Sequence, residues 1–167
     1  MALQSDRLKL PLLAAAQAQK EVTHNEALAL ADIAVQAVVQ SVAPASVPSS
    51  PVIGQCWIVG ASPTGAWAGH AGAIAAWTSG GWRFVAPFEG MQAWSIADAV
   101  TVRRGTSSWI VGGLTATMIS VAGNQVVGAR QPRVLAPTGG ATIDPQARAV
   151  IAALISGLEA HGLFSAT

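Results

Sequence analysis

All six tryptophans of this chain lie between residues 57 and 109, within short apolar runs that turn residues separate. Runs of this length, bounded by Gly, Pro, Asp or Ser, are typical of β-strands. Trp77 and Trp82 bracket the segment Thr-Ser-Gly-Gly, which predicts a tight β-hairpin. The sequence therefore predicts a small antiparallel β-meander rich in Trp, with strands at residues 56–59, 73–77, 82–85, 91–95, 100–103 and 107–111.

The residues before this β region follow a helical pattern instead. Alanine and branched apolar residues recur at helical spacing over residues 24–39 and leave Gln36 on the outer side. Thr23 is a suitable N-cap, and Glu26 three residues later completes a capping box. We therefore predict a break near Val22 and a helix from about His24 to Val39.

A second helix is predicted near the end of the chain. Asp144 can cap the first free amides, Pro145 suits the first helical position, and Gly162 provides a stop. A helix of about 16 residues is marginal in isolation, so its apolar seam must pack on the same chain or on copies of itself. The seam residues, separated by four, three and four positions, are Ala147, Ile151, Leu154 and Leu158.

These elements together predict an α+β fold. The segment after residue 112 mixes small, β-branched and Gly residues, and it could hold one or two further strands. The predicted organisation is an N-terminal helical anchor at residues 1–42, an extended linker at 43–51, an antiparallel β module at 52–112, an irregular or β connection at 113–143 and a C-terminal helix at 144–164.

Charge content indicates an assembly subunit. Charged residues make up 10% of the chain, against about 25% in typical soluble domains, while apolar residues reach 51%. A protomer can bury such a surface against its neighbours. The chain has no run of about 18 apolar residues, so we predict no membrane span. Its net charge of +1, with scattered basic residues, predicts no nucleic-acid binding.

Residues that could carry catalysis are sparse. His24, His70 and His161 lie in separate segments without metal-ligand spacing, so we predict neither a metal site nor a cofactor. Cys56 has no neighbouring His or acid and is predicted to be a small buried residue. No catalytic residue can be named, and we predict that the protein is not an enzyme.

The tryptophans permit two interpretations. Aromatic side chains crowding a small β module can form its core, because each one buries a large apolar area. Alternatively, two or three could line an exposed platform that stacks on sugar rings. The candidates for such a carbohydrate site are Trp67, His70, Trp77 and Trp94.

Several motifs carry a resemblance that extends from about residue 8 to residue 164. The motifs are LPLL at 10–13, AQAQK at 16–20, NEAL at 25–28, TGAWAGH at 64–70, GW at 81–82 with Phe84 and Pro87, GARQP at 128–132, Gly139-Gly140, Asp144 and HGL at 161–163. They resemble an uncharacterised family, a domain-of-unknown-function module, found in tailed phages, prophages and gene transfer agents of alphaproteobacteria, near genes for tail tips, fibres and head spikes.

The resemblance implies a virion protein that attaches fibres or contacts the host surface as a symmetric oligomer. Our leading hypothesis is therefore a fibre or spike subunit or adaptor, homotrimeric through the C-terminal seam, assembled in the bacterial cytoplasm and bound to other virion proteins. The second hypothesis is a carbohydrate-binding module that recognises host capsule or lipopolysaccharide. Four polar residues of the N-terminal helical anchor either dock a partner helix or form a solvated face. They are Gln17, Gln19, Asn25 and Glu26.

Overall fold

The computed structural model of the protein describes residues 3–14 and 20–165. The chain divides into two compact units, Met1–Leu114 and Thr115–Thr167. Helices and mainly antiparallel sheets confirm the predicted α+β class. In the described residues the elements are α1 (Lys20–Ala34), β1 (Val38–Val39), β2 (Cys56–Ile58), a 3-10 turn (Gly65–Trp67), β3 (Ile74–Thr78), β4 (Gly81–Val85), β5 (Gln92–Ser95), β6 (Val100–Arg104), β7 (Trp109–Val111), β8 (Ile119–Val121), β9 (Asn124–Val127) and α2 (Pro145–Ala160).

The six strands predicted between residues 56 and 111 are all present, with ends shifted by one or two residues. Trp77 pairs with Trp82 across the β3–β4 hairpin, which confirms the predicted turn. In place of one continuous meander, however, the strands form two sheets. One has the order β2-β3-β4, and the other has the order β1-β5-β6-β7.

Strand β1 lies where the sequence predicted the end of a helix. Helix α1 includes Thr23 and stops at Ala34, so the predicted capping box and the predicted helix end at residue 39 were both wrong. Gln36 adopts a left-handed backbone conformation with φ 48°, which an α-helix cannot continue. Val39 is then fully buried and pairs in parallel with Ser95 of β5. An exposed valine followed by a buried one fits a helix or a strand equally well, so periodicity could not distinguish the two.

One core joins α1 to both sheets of the first unit. Ile33 of α1, Ile58 and Ile74 of one sheet, and Val39 and Val102 of the other are at most 1% exposed and pack together. The chain after β1 is also hydrogen-bonded to this unit, because Ala43 N donates to Ile58 O at 2.8 Å. The segments predicted as an anchor and a linker therefore lie in the same compact unit as the β module.

The second unit combines the β8–β9 hairpin with helix α2. The Asp144 side chain accepts a hydrogen bond from Ala147 N at 2.9 Å, which confirms the predicted N-cap. Gly162 follows the helix with φ 76°, as expected of a helix stop. Arg133 pairs with Glu159 at 3.2 Å and ties the preceding loop to α2.

Candidate functional site

Four tryptophans form a cluster inside the first unit. Trp57 and Trp67 are buried, while Trp77 and Trp82 are partly covered. The Trp67 and Trp82 rings meet edge to face with centroids 5.3 Å apart, and Trp77 meets Trp82 at 5.1 Å. Edge-to-face aromatic packing of this kind stabilises a core beyond the area that it buries. Of the candidate carbohydrate residues, Trp67 and Trp77 therefore lie in this cluster.

The third candidate, His70, lies at the edge of the same cluster. Its exposed imidazole stacks on Phe84 with a centroid distance of 3.6 Å and an angle of 2° between the planes. Phe84 in turn packs against the tryptophan cluster. The imidazole therefore covers one face of an aromatic ring that would otherwise be open to solvent.

The fourth candidate, Trp94, lies apart from the others on the second sheet. Trp94 is 45% exposed. Along β5, Ala93 and Ser95 point into the core, whereas Gln92 and Trp94 point outward. Because side chains alternate along a strand, Gln92 and Trp94 share the outer face of the β1-β5-β6-β7 sheet.

Polar side chains surround Trp94 on that face. A shallow cavity of about 430 Å³ is lined by Gln36, Ala37, Val38, Gln92, Ala93, Trp94 and Thr101. All of these lining residues are uncharged. Within the described residues, the side chains of Gln36, Gln92 and Thr101 form no hydrogen bond, so their donors and acceptors face solvent. We call the set Gln36, Val38, Gln92, Trp94 and Thr101 the Trp94 face.

The predicted oligomerisation seam lies mostly on the surface of the single chain. Ile151 is 41% and Leu154 is 63% exposed, Ala147 is also exposed, and Leu158 is half-buried. Helix α2 has no buried residue, and neither does the rest of the second unit within residues 115–165. Within the second unit, the apolar seam therefore stays largely uncovered.

The predicted docking residues have different environments. Gln17 and Gln19 lie outside the described residues. The Asn25 side chain donates to Leu13 O and accepts from Leu13 N, both at 2.9 Å. Glu26 pairs with Arg83 of β4 at 2.9 Å. Asn25 and Glu26 therefore connect α1 to the N-terminal segment and to the β3–β4 hairpin.

Sequence reasoning missed a polar network around Asp32. This residue is 3% exposed, and its carboxylate accepts hydrogen bonds from Ser5 Oγ at 2.9 Å, Arg7 N at 2.8 Å and Leu8 N at 2.6 Å. The only signal was a lone acid in an apolar helical stretch. Nothing in the sequence indicated which distant segment would supply its partners.

The Cys56 thiol is unsuited to nucleophilic chemistry. The side chain is buried, as predicted, and burial raises its pKa from 9.0 to about 11. The thiol is therefore protonated at neutral pH. Among residues 3–14 and 20–165, no group of three or more His, Cys, Asp or Glu could hold a metal ion. No helix in that part of the chain is long and apolar enough to cross a membrane.

Comparison with known protein families gives a match over the first unit. A family described as "Protein of unknown function (DUF2793)" matches residues 24–110, slightly more than half of the 167 residues. No curated protein matches the chain. The matched range contains the tryptophan cluster and the Trp94 face, whereas the second unit lies outside it.

Proposed function

This chain belongs to the DUF2793 family of proteins of unknown function, and from that membership we propose that it is a structural component of a tailed phage or gene transfer agent particle. In this proposal the protein is a fibre or spike subunit, or an adaptor on which such a subunit sits. It acts in the virion, by binding other virion proteins at the surface that attaches to the host, and it catalyses no reaction.

The observation that carries this proposal is the second unit without a core. None of its described residues is buried, although it contains a hairpin and a sixteen-residue helix. A unit this small needs a shared core, a metal or covalent bonds to remain folded in water. Self-association supplies the missing core without any new component, because copies of the same apolar surface can cover one another.

The distribution of charge in this unit favours association through α2. Arg133 and Glu159 pair with each other, and Arg148 donates to the carbonyl oxygens of Pro137 and Gly139. Ala147, Ile151 and Leu154 are left on a side of the helix that bears no charge. A seam of this kind suits the centre of a parallel helical trimer, in which like residues meet around the threefold axis.

The β8–β9 hairpin adds further exposed hydrophobic residues to this unit. Ile119, Val121, Val126 and Val127 are each between 40% and 60% exposed. An uncovered apolar hairpin would also offer its edges for uncontrolled pairing. Packing of three hairpins around the helical trimer would cover these side chains and limit that risk.

The proposal is tested by asking whether the protein enters particles. Particles purified from a strain that carries the gene are analysed by mass spectrometry, first with the wild-type chain and then with Leu154→Asp. We expect the wild-type protein in the particles and loss of the variant. Ser156→Asp adds the same charge on the opposite side of α2 and should be incorporated normally. Absence of the wild-type protein from purified particles would refute the virion assignment.

A further inference from the structure

We propose that the Trp94 face is a binding site for neutral pyranose sugars of a polysaccharide. The inference rests on the geometry of the β1-β5-β6-β7 sheet and is independent of the oligomer proposed above. Among the four residues predicted to bind carbohydrate, Trp94 is the tryptophan that the fold leaves exposed, and it would contact the sugar ring. Gln36, Gln92 and Thr101 would be the polar partners of the sugar.

The indole of Trp94 is placed to stack on a sugar ring. Trp94 lies opposite Val38 of β1 on one side and opposite Thr101 of β6 on the other. Directly opposed residues share a face of the sheet, so the aromatic ring is flanked by a methyl-bearing side chain on each side. A pyranose ring presents a patch of C–H groups that packs on such an apolar surface, while its hydroxyls point sideways.

The polar side chains of the Trp94 face can hydrogen-bond to sugar hydroxyls. Each Gln amide offers both donors and an acceptor, and the Thr hydroxyl offers one donor and two acceptor lone pairs. These groups match sugar hydroxyls, which also donate and accept. The cavity lining contains no charged residue, and Arg103, which lies opposite Gln92 on the same face of the sheet, already has an interaction partner of its own. The lining therefore favours a neutral sugar over a uronic acid or a phosphorylated sugar. A volume of about 430 Å³ can hold one or two sugar rings.

Hydrogen bonds on both sides of the strand hold the backbone below the Trp94 ring. Trp94 N donates to Ala37 O at 2.8 Å, and Ile96 N donates to Val39 O at 2.9 Å. Ser95, on the opposite side of the strand, is fully buried and its hydroxyl bonds to Asp98 at 2.5 Å. Since the backbone is already fixed, little conformational entropy would be lost when a sugar binds.

The test uses the full-length protein. It is applied to an array that carries O-polysaccharide, capsule fragments and neutral hexose oligosaccharides, and hits are measured by calorimetry with the purified oligosaccharide. We expect binding to a neutral glycan. Trp94→Ala should weaken it by about tenfold or more, because the stacking surface is lost. Gln92→Ala should weaken it less.

Phe88→Ala is the matched control, since Phe88 is an aromatic residue of the same unit that is 63% exposed and lies outside the cavity lining. It should bind as the wild type does. The array also separates the sources, because O-polysaccharide, capsule and simple oligosaccharides occupy different spots. The proposal is overturned if the wild-type protein binds no glycan on the array, or if Trp94→Ala binds as tightly as the wild type while its melting temperature is unchanged.

Discussion

Hydrogen bonds of Arg7 and Asp32 connect the N-terminal segment to the end of helix α1. The Asp32 carboxylate accepts from Arg7 N, while the Arg7 guanidinium donates to Ile33 O at 3.1 Å and to Gln36 O at 3.0 Å. The arginine thereby satisfies carbonyl groups that the end of a helix leaves without partners. The same segment reaches the β3–β4 hairpin, where Asp6 accepts from Ser79 N at 2.9 Å. Residues near the N-terminus thus fasten the helix to a sheet.

The Asp32 network makes a direct prediction about stability. Asp32→Ala removes the acceptor for three donors, two of them backbone amides, so the free energy of unfolding of the first unit should fall by about 3 kcal/mol. Urea unfolding followed by circular dichroism measures the change. Asp6→Ala is the control, since its hydrogen bonds are solvent-exposed and should contribute about 1 kcal/mol or less. Equal losses of unfolding free energy in the two variants would show that burial of the Asp32 network adds no stability.

The tryptophans should separate into two classes by their effect on stability. Trp67 is 3% exposed inside the aromatic cluster, so Trp67→Ala should cost about 3 to 5 kcal/mol. Trp94→Ala removes an exposed ring and should change stability by about 0.5 kcal/mol or less. Thermal and urea unfolding of both variants measure this. A large loss for Trp94→Ala would mean that this side chain is needed for folding, which would weaken its assignment as a ligand surface.

Burial of Cys56 predicts a dependence of stability on alkaline pH. Because the pKa of the thiol is raised from 9.0 to about 11 in the folded state, the folded protein retains this proton more strongly than the unfolded chain does. The contribution to stability is complete below pH 9 and is lost as pH rises through 11. Cys56→Ala should remove this part of the pH dependence in urea unfolding.

Reaction with a thiol reagent at pH 8 checks the same burial independently. The native protein should react slowly, because the thiol is both protonated and shielded, and the urea-unfolded chain should react quickly. Fast labelling of the native protein would contradict the buried position of Cys56.

The parts of the fold that local chemistry determines could be predicted from the sequence. The Trp77–Trp82 hairpin follows from its turn residues, and the start of α2 follows from Asp144 and Pro145, because each signal lies within a few residues of the feature that it specifies. The strands between residues 56 and 111 were found in the same way, from short runs bounded by turns.

Features that depend on distant partners could not be predicted. The pairing of Val38 with Trp94 and the contact of Arg7 with Asp32 join segments far apart in the chain. Burial of Val39 in the sheet overrode a helical pattern that was locally satisfactory. At the candidate site, the alternation of polar and small residues along β5 is consistent with an outward Trp94. The positions of Val38 and Gln36 beside it could not be predicted, because they depend on strand β1, which the sequence did not indicate.

Assembly of this chain through its second unit can be measured by light scattering of the full-length protein at several concentrations. We expect a mass three times that of one chain, unchanged on dilution in the micromolar range, and dissociation by Leu154→Asp but not by Ser156→Asp. A wild-type protein that remains a stable monomer over the same concentrations would contradict it.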